Sequence, residues 1–154
     1  MSSARVIDPD TFLTVDGRHV WTPARNVEAW RLAHDALRRT LADGTVAQVV
    51  IVCGLQGAGK SSWIARQAPD AGTVFVDAAL PGARHRAPLI AIARDFAVPV
   101  EAVWIRTPLP VALKRNRRRA PDRRVPEANI RSVDGLFEPP TPAEGFAAIR
   151  IVEP

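Results

Sequence analysis

Residues 47–53 are apolar at every position except Gln48, and four of the seven are β-branched. No alternation of apolar and polar positions runs through the segment. It is therefore predicted to be a strand covered on both faces, at the centre of a parallel sheet. Shorter runs at 73–76, 102–105 and 147–152 predict three more strands. Between them the apolar spacing changes to three and four, and helices are expected over 62–67, 88–96, 110–119 and 126–136. Pro121 breaks the third of these, and 138–144 is a proline-rich loop. Upstream, residues 12–21 carry Asp16-Gly17 between two β-prone runs, the signal of a tight hairpin. Thr22-Pro23 then opens a helix with Val27, Trp30, Ala33, Leu37 and Leu41 on one face, closed by Gly44 after Asp43. Strand and helix alternate from residue 47 onward, so the fold class is α/β with a mainly parallel sheet. No internal repeat interrupts this order.

The first strand runs into Gly54-Leu55-Gln56-Gly57-Ala58-Gly59-Lys60-Ser61, a complete G-x-x-x-x-G-K-S pattern with a helix after it. Glycines let such a loop turn its backbone N–H groups inward on an anion, and the helix start adds unpaired N–H groups and a positive dipole end. Gly54, Gln56, Gly57, Ala58, Gly59, Lys60, Ser61 and Ser62 are the candidate binding residues. Lys60 reaches the β- and γ-phosphates of a nucleoside triphosphate, and Ser61 ligates Mg²⁺. The second strand ends in Val76-Asp77, beside this loop. An acid there is placed to hold a Mg²⁺-bound water or to orient a substrate, or it caps the following turn. The context predicts a three-layer P-loop NTPase fold. Residues 1–154 read as one domain, with 1–45 as an N-terminal hairpin and helix extension.

Charge sharpens one region. The chain has 154 residues, 21 Lys+Arg against 16 Asp+Glu, and a net charge of +5. Eight of the basic residues but only Asp122 and Glu127 among the acids fall within 114–131, so the remainder is close to neutral. A basic segment following a P-loop either closes over the terminal phosphate, where arginine makes bidentate contacts, or forms a solvated helix face. It also keeps nucleic acid as a candidate partner. Only two lysines occur, Lys60 and Lys114, and one of them fills the P-loop position.

The remaining chemistry is exclusion. One cysteine, Cys53, forbids an intrachain disulfide and reads as a small buried packing residue. His19, His34 and His85 are far apart without cysteine partners, which argues against zinc. No apolar run reaches membrane-spanning length, and residues 1–10 lack the apolar core of a signal peptide, so no membrane partner and a cytoplasmic location are expected. Trp21 and Trp30 are expected in the core rather than as a stacking platform.

Three segments together resemble the P-loop kinases related to phage polynucleotide kinase, and small bacterial AAA-family ATPases. They are Gly57-Ala58-Gly59-Lys60-Ser61-Ser62-Trp63; Val76-Asp77 followed by Arg84 or Arg86, a helix and Val103-Trp104-Ile105; and Lys114-Arg115-Asn116-x-x-Arg119 followed by Val125-Pro126 and Ile130-Arg131. Glu144-Gly145-Phe146 before the last strand also suits this family. The resemblance covers residues 49–152. It implies ATP and Mg²⁺ as cofactors, Lys60 and Ser61 on phosphate and metal, and residues 114–131 as an arginine-rich lid. It also implies that Arg119 reaches the transferring phosphoryl group and that Arg115 lies at the lid's base against the nucleotide. Asp77 matches the family's second-strand acid, giving Lys60, Asp77 and Arg119 as catalytic candidates and Ser61 with Asp77 as metal candidates.

Two departures leave the acceptor open. The family's Asp-x-x-Arg segment, whose aspartate is the general base, is missing, because only 66–72 separate the P-loop helix from the second strand. The family's Asp-Thr-Asn is here Asp77-Ala78-Ala79. Either Asp77 doubles as base, or the N-terminal segment supplies an acceptor wall, or the protein only hydrolyses or binds ATP. Asp70 is a weaker candidate base, since a Pro-Asp-Ala-Gly turn explains it. The expected function is transfer of the γ-phosphate of ATP to an unidentified hydroxyl, of a nucleic-acid 5′ end or a small molecule. The alternatives are an ATP-binding or weak ATPase module and a basic nucleic-acid binder.

Overall fold

The structure, a computed structural model, describes residues 5–68 and 70–154. Pro69 of the expected Pro-Asp-Ala-Gly turn, and residues 1–4, lie outside these. In chain order the elements are β1 (Arg5–Ile7), β2 (Thr14–Val15), β3 (Arg18–His19), α1 (Pro23–Ala42), β4 (Gln48–Cys53), α2 (Lys60–Ala65), β5 (Thr73–Asp77), α3 (Ala83–Asp95), β6 (Val100–Ile105), α4 (Leu109–Arg117), α5 (Glu127–Leu136) and β7 (Ala148–Val152). Five strands form one sheet in the order β1-β5-β4-β6-β7, and every neighbouring pair is parallel. The expected α/β architecture with a parallel sheet is what forms.

The apolar run of β4 explains the layering. Val49, Ile51 and Cys53 face one layer, where Ala33, Leu37 and Leu41 of α1 and Leu89, Ile92 and Ala93 of α3 pack. Val50 and Val52 face the other, against Trp63 and Ile64 of α2, Ala112 and Leu113 of α4 and Ile130 of α5. A strand has period two, so a strand buried on both sides must be apolar throughout. The chain passes from β4 to β5 on one side and then to β6 on the other. The crevice at the carboxyl end of β4 is thus the switch point where open α/β sheets bind ligands.

The N-terminal part departs from expectation in two ways. The chain begins the main sheet itself, since β1 pairs with β5 with Ile7 opposite Val76. The α1 stripe starts later than predicted: Ala29, Ala33, Leu37 and Leu41 are buried, whereas Val27 is 71% exposed. The first turns of α1 therefore contribute no buried residue to the layer. The hairpin forms where Asp16-Gly17 predicts it, with both residues at positive φ (49° and 78°), as a two-residue turn requires. Downstream, α3 starts at Ala83 rather than Pro88, because the His85 ring accepts the Gly82 N–H at 3.0 Å and opens the helix one turn earlier. No helix among the described residues is long and apolar enough to cross a membrane.

Candidate functional site

The loop between β4 and α2 is shaped by what its glycines avoid. Gly57 has φ +84°, and a Cβ there would stand 2.5 Å from the Ala112 carbonyl of α4. Gly59 has φ +101°, and its Cβ would stand 2.9 Å from Arg115 Nη1. Neither position tolerates a side chain, so the loop lies flat against α4 with its concave face open. Lys60, 9% exposed, folds back and donates from Nζ to the carbonyls of Gly54 at 3.1 Å and Leu55 at 2.8 Å. Burial lowers its pKa, the Asp77 carboxylate opposes this, and nearby Arg119 adds to the lowering. Ser61 Oγ donates to Asp77 Oδ2 at 2.5 Å. That contact joins the start of α2 to the tip of β5. Gln56 Oε1 is buried and finds no hydrogen-bond partner among the described residues.

This donor set suits a triphosphate with a divalent cation. The glycines let the loop seat against α4 and leave its concave face open for phosphate, and Lys60 holds a charge that its loop carbonyls only partly compensate. No group of three or more His, Cys, Asp or Glu side chains among the described residues could hold a metal by itself. A hydroxyl and one carboxylate, completed by phosphate oxygens and water, is the way Mg²⁺ is usually held beside phosphates.

The expected lid follows from α4. Asn116, buried at its end, donates from Nδ2 to the Val125 carbonyl at 2.7 Å and accepts the Val125 N–H at 2.9 Å. This pair closes residues 117–124 into a loop. Arg119, Arg123 and Arg124 from that loop line the same cleft as Lys60, Ser61 and Asp77, a cleft of about 1410 Å³. Arg117 instead pairs with Glu127 at 2.5 Å. Arg115 donates to the Ala58 carbonyl at 2.8 Å, where Thr107 Oγ1 also donates at 2.7 Å, so it braces the phosphate loop at the lid's base. The hairpin meets the lid from the other side, the His19 N–H donating to Asp122 Oδ2 at 3.1 Å.

Other expectations change. Asp70 binds the Gly72 N–H and the Thr73 hydroxyl at the amino end of β5, the opposite end from Asp77, and is not in the cleft. Trp21 is 56% exposed on the cleft wall rather than in the core, and Trp30 is half-buried beside His34. The late start of the α1 stripe leaves Trp21 beyond the packed layer, whereas Trp30 packs against the core at its edge. Of Arg84 and Arg86, the latter is fully buried in an ion pair with Glu144, while Arg84 lines the cleft. Cys53 packs in the core, where burial pushes its thiol up to about 11.

The sequence reading missed Asp8. It follows β1 as Asp77 ends β5, and both line the cleft. The signal was present as Val6-Ile7-Asp8, a short copy of Phe75-Val76-Asp77. Burial pushes the Asp8 carboxyl up to about 6; the Asp77 and Asp10 charges add to this, while the Asp10 N–H and Lys60 oppose it. A carboxyl raised above its ordinary 3.8 weakens the fold once ionised. The penalty is absent below that value, grows as the pH rises through about 6, and is complete above it. Asp8→Asn is therefore expected to stabilise the protein at pH 7 by about 1–2 kcal/mol, after allowance for solvent screening at a partly exposed group. Near pH 3 the two proteins should match. Urea unfolding at both pH values checks this, and a less stable variant at pH 7 contradicts it.

A family model described as an AAA domain matches residues 70–140, a little under half of the chain. That family is of the P-loop NTPase type and includes kinases. The matched stretch runs from the turn before β5 through α3, β6, α4, the lid and α5, and begins after the phosphate loop. Loop and match are thus separate signals of one nucleotide-binding fold. No curated protein matches the chain.

Proposed function

We propose that the chain is an ATP- and Mg²⁺-dependent phosphotransferase acting on a hydroxyl acceptor. The observation that carries this reading is the Ser61–Asp77 contact at the mouth of the phosphate loop, in the cleft that Arg119, Arg123 and Arg124 also line. A simple phosphate-binding loop needs neither the strand-end acid nor the arginines. Transfer needs both, because charge must be held on the metal side and matched around the moving phosphoryl group.

Each residue then has a task. The backbone N–H groups of residues 56–61 bind phosphate oxygens. Lys60 exchanges its two loop carbonyls for the β- and γ-phosphates. Ser61 and Asp77 would hold Mg²⁺, which when bound neutralises phosphate charge. Arg119 stabilises the charge that spreads over the transferring group, and the lid excludes water. Arg115 keeps the loop in shape from beneath. Trp21 and the hairpin supply a wall on the acceptor side, in place of the Asp-x-x-Arg segment that this chain lacks. A nucleic-acid 5′-hydroxyl and small polyols are the acceptor classes to try first.

The test is transfer of label from γ-labelled ATP to a panel of 5′-hydroxyl oligonucleotides and small polyols, with and without Mg²⁺. Arg119→Ala is expected to lower kcat about 10²- to 10³-fold, as loss of one preorganised charge donor does, while affinity for a non-hydrolysable ATP analogue changes little. Nucleotide binding with no transfer to any acceptor would leave a binding module instead.

A further inference from the structure

The carboxyl edge of the sheet carries a second acid whose position the phosphate loop does not explain. β1 and β5 run parallel with Ile7 opposite Val76, so the next residues, Asp8 and Asp77, leave neighbouring strands at the same level. Along that edge the order is Asp8, Asp77, the phosphate loop and the lid-bearing helix α4. Asp77 is engaged by the Ser61 hydroxyl. Asp8 is oriented from below, its Oδ1 accepting the Asp10 N–H at 2.9 Å within the 3-10 turn Pro9–Leu13. Among the described residues no group donates to its Oδ2. Asp8 is also close enough to Asp77 and Lys60 to sense both charges. The other carboxylates of the cleft are engaged elsewhere: Asp77 by Ser61, Asp122 by the His19 N–H, Glu153 by Arg106, and Asp10 is exposed beside His19, while Asp70 sits at the wrong end of β5.

We propose that Asp8 is the catalytic base, taking the proton of the acceptor hydroxyl on the side of the cleft walled by the hairpin and Trp21. This rests on the phosphotransfer reading above and supplies the base that the sequence lacks at its expected place. In the step, the acceptor oxygen forms a bond to the terminal phosphorus as the bond from that phosphorus to the bridging oxygen breaks. The electron pair of the broken bond stays with ADP, and the hydroxyl proton passes to Asp8 Oδ2 and then to solvent. With water as acceptor the same step yields inorganic phosphate. The chain thus places its base directly after β1, upstream of the phosphate loop.

Asp8→Asn keeps the size and the Asp10 contact but cannot take a proton. Three quantities decide the matter: affinity for a non-hydrolysable ATP analogue with Mg²⁺ by calorimetry, phosphate release from ATP, and label transfer to the acceptor panel. The expected result is analogue affinity within threefold of the parent, with release and transfer both lowered about 10²-fold or more, the usual scale for losing a general base. Asp70→Asn, at the far end of β5, should leave both rates within threefold. Asp8→Glu, which restores a carboxylate, should recover part of the loss, and this separates the base from a merely structural contact. The proposal is overturned if Asp8→Asn retains more than a third of the parent rate. It is also overturned if affinity and rate fall together, or if Asp8→Glu is no better than Asp8→Asn. A parent protein that binds the analogue but turns over neither water nor any acceptor removes the phosphotransfer reading itself, and the base with it.

Discussion

Replacing Lys60 by alanine is expected to abolish turnover, lowering phosphate release and transfer about 10³-fold or more, while the protein stays folded. The two halves of this expectation have different causes. In the structure Lys60 is buried, its hydrogen bonds among the described residues go to the carbonyls of Gly54 and Leu55, and burial lowers its pKa against the pull of Asp77. An ammonium in such a place contributes little to the fold, because desolvation offsets what two neutral acceptors return. With a triphosphate in the cradle the same ammonium faces several negative oxygens in a site shielded from water, where a charge pair is strongest. The expected binding loss is about 100-fold for a non-hydrolysable analogue, or about 2.7 kcal/mol. Calorimetry with Mg²⁺ and thermal melting measure the two halves separately. Analogue affinity within threefold of the parent would show that the loop is not the phosphate site.

The largest stability effect is expected at Glu144. Its carboxylate receives Arg86 Nε at 2.8 Å and Nη2 at 3.1 Å, and Arg86 is fully buried. Removing the acid strands a guanidinium whose one remaining hydrogen-bond partner among the described residues is the Leu80 carbonyl, at 2.9 Å. Glu144→Ala is expected to cost about 3–5 kcal/mol, the usual penalty for an uncompensated buried charge. Arg86→Met should cost less, because an apolar chain of similar volume replaces the fully buried charge, and the carboxylate it leaves, 12% exposed, still accepts the Thr141 N–H. That asymmetry, read by urea unfolding, separates a buried ion pair from a plain packing contact. Equal losses in the two variants would refute it. The pH dependence has a definite sign. Partial burial raises the Glu144 pKa, but the Arg86 and Thr141 hydrogen bonds outweigh this and hold it below its ordinary value. The pair therefore stabilises fully at neutral pH, and its contribution is lost as the pH falls through the depressed value.

This pair also bears on the site. Leu80 has a positive φ of 45°, unusual for a residue with a side chain, and is buried. Arg86 holds its carbonyl, and so fixes the segment that follows Asp77 along the cleft wall. One arginine of the sequence pattern thus shapes the site without lining it.

The parts of the molecule legible in the sequence are those where one local cause suffices. The β4 run could only be a doubly covered strand, Asp16-Gly17 could only turn, and the glycines and Lys60 of the phosphate loop state their chemistry by spacing alone. The illegible parts depend on distant partners. Three residues of β1 carry too little periodicity to be read as a strand until β5 is seen beside them, and Asp8 is invisible for the same reason. Pro88 looks like a helix start because the ring of His85, which opens the helix earlier, is not a usual capping group. Val27 fits the helical spacing of α1 but lies beyond the packed layer, and Trp21, just before the helix, is exposed too.

The hydrogen bond from the His19 N–H to Asp122 has a mechanical consequence. Residues 117–124 are pinned at their root by Asn116 and Val125 and touched at their crown by the hairpin. Any displacement of the crown away from the hairpin must stretch or break the His19 contact, which pulls on the same wall that carries Trp21. A loop tied at its root and at its crown cannot shift alone, so the positions of residues 117–124 and of the hairpin are coupled through that one contact.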